Sequence, residues 1–263
     1  MSEPVSAIPA AIVHYVGKWQ SREPEMRVLQ VFCAPSQQTR FCAWGALLHE
    51  LREALFELSD ARVTAVKSGW WAEELLGLAQ GRHRHPLTEA LVGSDAPWSD
   101  LGRALLLQTG DDARHADTSE AIAALLPLAR SVLAVESALF ETALFKARSS
   151  DAAARGLAIH WLLQRLPQGL ASEDRARIPM HLFARHGLTA EQLAAGQGEP
   201  LLRDWTGELL RALPASTSDA SLLRRGRLRF DHARLARLSD GKGFGESPAL
   251  ATLWRAWCAA RVA

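Results

Sequence analysis

The 263-residue chain has little of what usually betrays an activity at sight. Cysteine is scarce: Cys33, Cys42 and Cys258 form no C-x-x-C pair, which excludes a zinc ribbon or a dithiol redox motif. Their number is odd, and Met1 to Ile12 lacks a basic stretch followed by a long apolar core, so free thiols in a reducing, cytoplasmic setting are expected. An excess of one charge is lacking too. The 30 basic and 29 acidic side chains leave a net charge of +1, so no overall field would draw the chain to nucleic acid or membrane. Lysine is nearly missing, 4 against 26 arginines, a bias that fits GC-rich bacterial coding and carries no mechanism. No apolar run reaches the ~18 residues of a membrane span. The longest, Ala121 to Ala129, contains Pro127 and is bounded by Glu120 and Arg130, so at most a peripheral membrane contact is expected. The nucleophile-elbow, P-loop, dinucleotide-binding and zincin motifs are all absent.

What is present is apolar and helical. Apolar residues make up 48% and charged residues 22%, which excludes intrinsic disorder as the main state. Strand-like alternation is rare, and helical spacing recurs along the chain. From Arg40 to Leu58, Phe41, Trp44, Leu47, Leu48, Leu51, Leu55 and Leu58 fall on one face of an amphipathic helix. Further helices are predicted from Val63 to Leu78, from Pro86, and over Leu101 to Leu107. Others run from Ser119 to Ala147, from Asp151 to a stop at Pro167-Gln168-Gly169, and from Pro179 to His186. Asp117 with Glu120 reads as a capping box, and Thr189 with Gln192 caps the next short helix. The last three run over Gly198 to Leu213, over Leu222 to Leu238, and from Ser247-Pro248 to the C-terminus. That is about ten helices with no sheet, read as one all-α domain over residues 1–263, because each apolar stripe needs a neighbour to cover it.

Three polar clusters invite a functional reading. Asp111, Asp112, His115 and Asp117 could bind a divalent cation, although a solvated helix start explains them as well. Arg82-His83-Arg84-His85-Pro86 could hold phosphate or metal, or serve as a polar turn. Arg224, Arg225, Arg227, Arg229, His232, Arg234 and Arg237 make a basic helix interrupted by one acid, Asp231. Such a helix can meet an anionic membrane or an acidic protein, or simply form a solvated face. Nucleic acid is not expected, since Phe230 is the lone aromatic near the run. Gly241, Gly243 and Gly245 read as a flexible linker.

Several segments, taken in order, resemble the squalene/phytoene synthase family. They are Val31-Phe32-Cys33-Ala34-Pro35, Arg40-Phe41, Glu50-Leu51, Lys67 with Trp70-Trp71, and Glu73-Glu74-Leu75. His85-Pro86-Leu87-Thr88, Gly156-Leu157-Ala158, Arg165, Arg177-Ile178-Pro179-Met180 and Arg185-His186-Gly187-Leu188-Thr189 complete the set. The resemblance is strongest over residues 20–215, with a weaker echo at the last helix of residues 222–263, the stretch that also holds the basic helix and glycine loop. It implies an isoprenoid-synthase-like bundle around a central apolar cavity. It also implies two aspartate-rich clusters holding Mg²⁺ against prenyl diphosphates.

At those cluster positions this sequence departs. The first falls on Ala46, Leu47 and Glu50, and no acid lies between Asp151 and Glu173, where the second belongs. The pattern is similar to the non-catalytic branch of the family, which includes a mitochondrial complex I assembly factor. The resemblance thus implies a protein without metal or cofactor that binds a lipid, an isoprenoid or a protein partner. Its ligand-binding residues would be Arg40, Trp44, Leu47, Glu50, Lys67, Trp71, His160, Gln164 and Arg165, with Trp161 and Leu162 also lining the cavity. Two alternatives stay open. One is a prenyl transferase with an altered site, using Glu50, Arg165 and His160 with His49, Arg40 and Lys67, and Mg²⁺ only in that case. The other is a ligand-free assembly scaffold. Whichever holds, the structural role open to Glu50 and Arg165 is a buried ion pair between facing helices.

Overall fold

The computed structural model describes residues 8–109, 114–140, 147–169, 177–216, 220–245 and 247–261. Among them every regular element is helical and no strand occurs. Two helices open the described chain, α1 (Ala10–Arg22) and α2 (Glu25–Gln30). A 3-10 turn, Pro35–Gln37, leads into α3 (Gln38–Phe56), followed by α4 (Ala61–Leu78), the short α5 (Pro86–Glu89) and α6 (Trp98–Thr109). The second half holds α7 (Thr118–Phe140), α8 (Ala147–Gly169), α9 (Met180–His186), α10 (Ala190–Gln192), α11 (Glu199–Ala212), α12 (Leu222–Ser239) and α13 (Ala249–Ala260). Buried apolar side chains from α1 through α13 form one contiguous cluster.

Local chemistry sets many of the helix ends. Asp60 accepts from the Arg62 N–H at 2.8 Å and starts α4. Pro86 stands in the first turn of α5 behind its cap His85. The box of Thr189 and Gln192 forms in full. Asp117 accepts from the Glu120 N–H at 2.8 Å, but the Glu120 carboxylate reaches back one residue farther than a capping box requires, to the Ala116 N–H at 2.6 Å.

Some boundaries differ from the sequence reading. Helices α1 and α2 carry no expectation there, although Ile12, Val16 and Trp19 lie buried along one face of α1. Helix α7 is described as far as Phe140, and 141–146 of the helix expected to reach Ala147 lie outside the described residues. Helix α8 starts at Ala147 and continues through Pro167, the expected stop, to Gly169. Asp111 and Asp112 of the acidic cluster also lie outside the described residues. His115 is described, and its backbone carbonyl accepts from the Met180 N–H at 2.9 Å.

Helix α3 occupies the centre, with α1, α2, α4, α5 and α6 packed about it. It is not amphipathic as expected: from Phe41 to Arg52 every residue is buried, His49, Glu50 and Arg52 included. A helix hidden on all sides must have its polar groups answered by neighbours. Helix α7 is long and apolar enough to cross a membrane by length and composition. Here it packs between α6 and α8 and carries the fully buried Glu136.

Candidate functional site

The acids of α3 face two lysines. Glu50 and Glu53, one helical turn apart, lie between α1 and α4. Lys18 of α1 donates to Glu50 at 2.9 Å and also bonds Glu53. Lys67 of α4 donates to Glu53 at 3.0 Å. Burial alone would lower the Lys18 pKa, but its bonds to Glu53 and Glu50 outweigh that and raise it. Burial pushes the Glu53 pKa up, and the two ammonium groups reverse this and bring it down. Ligand atoms of His49, Glu50 and Glu53 lie within 4.8 Å of one another, a spacing that could suit a metal ion. The surroundings do not suit one. Two carboxylates facing two ammonium groups leave no net negative charge for Mg²⁺, which seeks several oxygen ligands in near-octahedral array. A cation would first have to displace Lys18.

Behind this cluster a buried network crosses the bundle. Glu23, just after α1, accepts a two-pronged bond from Arg227 of α12, at 2.9 and 2.8 Å, and a third from the Trp19 indole at 3.0 Å. His160 of α8 shares a hydrogen bond with Asp231 of α12 at 2.9 Å, and its other ring nitrogen stands 3.8 Å from Glu23. Burial raises the Glu23 pKa, but the charges of Arg227, His160 and Arg52 bring it well below the usual carboxylate range. For His160 burial is the larger influence and lowers the pKa, against the opposing pull of Asp231. Arg52 of α3 extends the network. It contacts His49 at 3.2 Å, donates to Gln164 of α8 at 3.1 Å and pairs with Glu57 at 2.9 Å.

A second buried centre lies at the start of α12. Glu136 of α7 accepts from Arg224 at 2.6 Å, Ser221 at 2.6 Å and the Trp44 indole at 3.0 Å. This corrects the reading of the basic helix as an outward face. Arg224 and Arg227 are each 3% exposed and tied to interior acids, and Arg234 pairs with Glu25 at 2.8 Å. Arg225, Arg229, His232 and Arg237 are left on its outer side.

The remaining sequence-derived candidates scatter. Arg40 is exposed and donates to the Leu139 carbonyl at 2.8 Å, in the last turn of α7. Trp44 and Leu47 are fully buried, and Trp71 packs against the His85 ring with centroids 4.9 Å apart. Arg165 lies over the Phe56 ring at 4.1 Å, and the acid expected to pair with it, Glu50, is held by Lys18 instead. Trp161 and Leu162 close against neighbours. The void beside Trp161, between α3, α6, α7 and α8, is about 10 Å³, whereas ligand cavities span roughly 300–1,000 Å³. The Arg82–Pro86 segment is a fixed turn. Buried Glu74 accepts from the Arg84 and His85 N–H groups at 2.8 and 3.0 Å and from the Thr88 hydroxyl.

Sequence reasoning missed Lys18, Glu23, Glu136 and Asp231 as interior charges. Two of them carried a signal. Glu136 is the lone acid in the middle of the most apolar helix, and Asp231 follows Arg227 by one turn. Neither a family model nor a curated protein matches this chain.

Proposed function

We propose that this is a non-catalytic protein of the squalene/phytoene synthase type, built as an isoprenoid-synthase-like bundle, that acts by binding and not by prenyl transfer. One observation carries the reading: the carboxylates nearest the expected metal positions are neutralised by side chains of the chain itself. Lys18 sits on Glu50 and Glu53, and Lys67 on Glu53. Arg227 and His160 likewise answer Glu23 and Asp231 beside the acid-poor segment of α8. Without a free acidic cluster among the described residues, Mg²⁺ has no site there to be held against a diphosphate, and the leaving group loses its main stabilisation. The void near Trp161, about 10 Å³, leaves no room beside that residue for a lipid or isoprenoid. A cytoplasmic setting, with peripheral membrane contact at most, fits three free cysteines, of which Cys33 and Cys42 are buried.

The test is diphosphate release from farnesyl and geranylgeranyl diphosphates at high protein concentration, with and without Mg²⁺. No release above background is expected in either case. Mg²⁺-dependent release that disappears in Glu50→Gln would overturn the reading and restore the prenyl-transferase alternative.

A further inference from the structure

The outer side of α12 forms one wall of a groove of about 550 Å³, closed by α13, Pro214–Ser216 and the loop after α12. Among the described residues its lining includes six basic side chains, Arg225, Arg229, His232, Arg237, Lys242 and Arg255, and one acid, Asp240. Asp240 is taken by Lys242 at 2.8 Å. Among the described residues, Arg225, Arg229, His232 and Arg255 have no acidic partner. Arg225 is held in place by two backbone carbonyls, Ala259 at 2.8 Å and Ala220 at 2.6 Å, which fix its guanidinium without neutralising it. Burial, and then the charge of Arg229, push the Arg225 pKa below its ordinary value. One terminal nitrogen of Arg255 is buried with no hydrogen-bond partner. A protein that holds like charges together beside an unsatisfied buried donor stores an attraction for an anion.

The form of the groove narrows the kind of anion. Arginine forks match the oxygens of phosphate groups, and several converging cations suit a multiply charged group better than a single carboxylate. The volume is that of a small-molecule site. Among the described residues no Phe, Tyr or Trp lines it, so they offer no platform for stacked bases. Leu228, Ala233 and Ala236 give it an apolar floor that accepts the carbon part of an amphiphile. We propose that this groove binds a phosphate-bearing anion, either a soluble phosphate or diphosphate ester or the headgroup of an anionic phospholipid. The site is separate from the Lys18–Glu50–Glu53 cluster and does not rest on the family reading.

The experiment is calorimetric titration of the full chain with inorganic pyrophosphate at low salt. It would be repeated for Arg229→Ala, Arg255→Ala and the control Arg130→Ala, whose arginine pairs with Asp151 on the surface. Saturable one-to-one binding is expected, weakening with added salt and about tenfold or more in each groove variant, while the control is unchanged. Arg229 is exposed, so its removal leaves the fold intact. Competition with vesicles then identifies the source. Displacement by phosphatidylglycerol vesicles but not by phosphatidylcholine vesicles assigns a lipid headgroup, and no displacement by either assigns a soluble anion. Absence of saturable binding to pyrophosphate and to anionic vesicles overturns the proposal. Binding that survives both groove substitutions unchanged does so too.

Discussion

His49 is 2% exposed in the middle of α3, with one ring nitrogen 3.2 Å from Arg52 and the other, 3.9 Å from Glu53, lacking a hydrogen bond. Burial first, then the positive charges of Arg52 and Lys18, lower its pKa from the ordinary 6.5 to about 4, against the weaker pull of Glu23 and Glu53. A histidine with a depressed folded-state pKa is kept neutral by folding. Its contribution to stability is complete above pH 6.5 and is lost as pH falls toward 4. The full effect is on the order of 3 kcal/mol. His160, also lowered, acts in the same direction, and the depressed Glu23 adds a further loss below its ordinary 4.5. The urea midpoint is therefore expected to fall between pH 6.5 and pH 4, and His49→Gln should flatten part of that fall. A midpoint constant over this range would mean that the ring is solvated and charged in the native state.

At the scale of elements, close packing of α3 depends on a residue without a side chain. A Cβ added at Gly45 would stand within 2.6 Å of three ring carbons of the fully buried Trp19. Gly45→Ala should thus destabilise the fold by ~1–3 kcal/mol in chemical denaturation, although alanine is the better helix former. A neutral result would show that Trp19 can move aside. The same helix illustrates what a sequence can reveal. The spacing of Phe41, Trp44, Leu47 and Leu51 identifies a helix and nearly its ends, because periodicity records which positions avoid water. It cannot record that the opposite stripe, with His49, Glu50 and Glu53, meets Lys18 of α1 and Lys67 of α4. Polar residues read as solvent-facing unless their partners are known, and these partners lie far away in the chain. For that reason the site candidates Glu50 and His160 are legible as residues, while Lys18, Glu23 and Asp231, which stand against them, are not. The basic helix errs for the same reason: Arg224 and Arg227 turn inward because acids on α7 and at the end of α1 await them.

Across the whole molecule, α12 acts as the bolt between halves, joining Glu136 through Arg224 and Glu23 through Arg227. Removing one partner of a buried pair strands the other charge, whereas replacing both with apolar residues of similar size is often tolerated. Glu136→Leu alone is expected to cost ~3–5 kcal/mol, and the pair Glu136→Leu with Arg224→Met clearly less, as judged by urea denaturation. Equal losses in the two variants would indicate that Arg224 finds another anion or water.

The Glu23–Arg227 bond spans 204 positions. A ribosome adding about 5–20 residues per second therefore leaves Glu23 waiting roughly 10–40 s for its arginine. During that interval the nascent chain carries uncompensated carboxylates beside apolar surface that has not yet been sealed. The first half cannot set its interior early, and the molecule is committed to finishing its core after most of it has been synthesised. A chaperone that shields nascent helices would act in this window, and a ribosome stalled before α12 emerges would display a chain ready to aggregate.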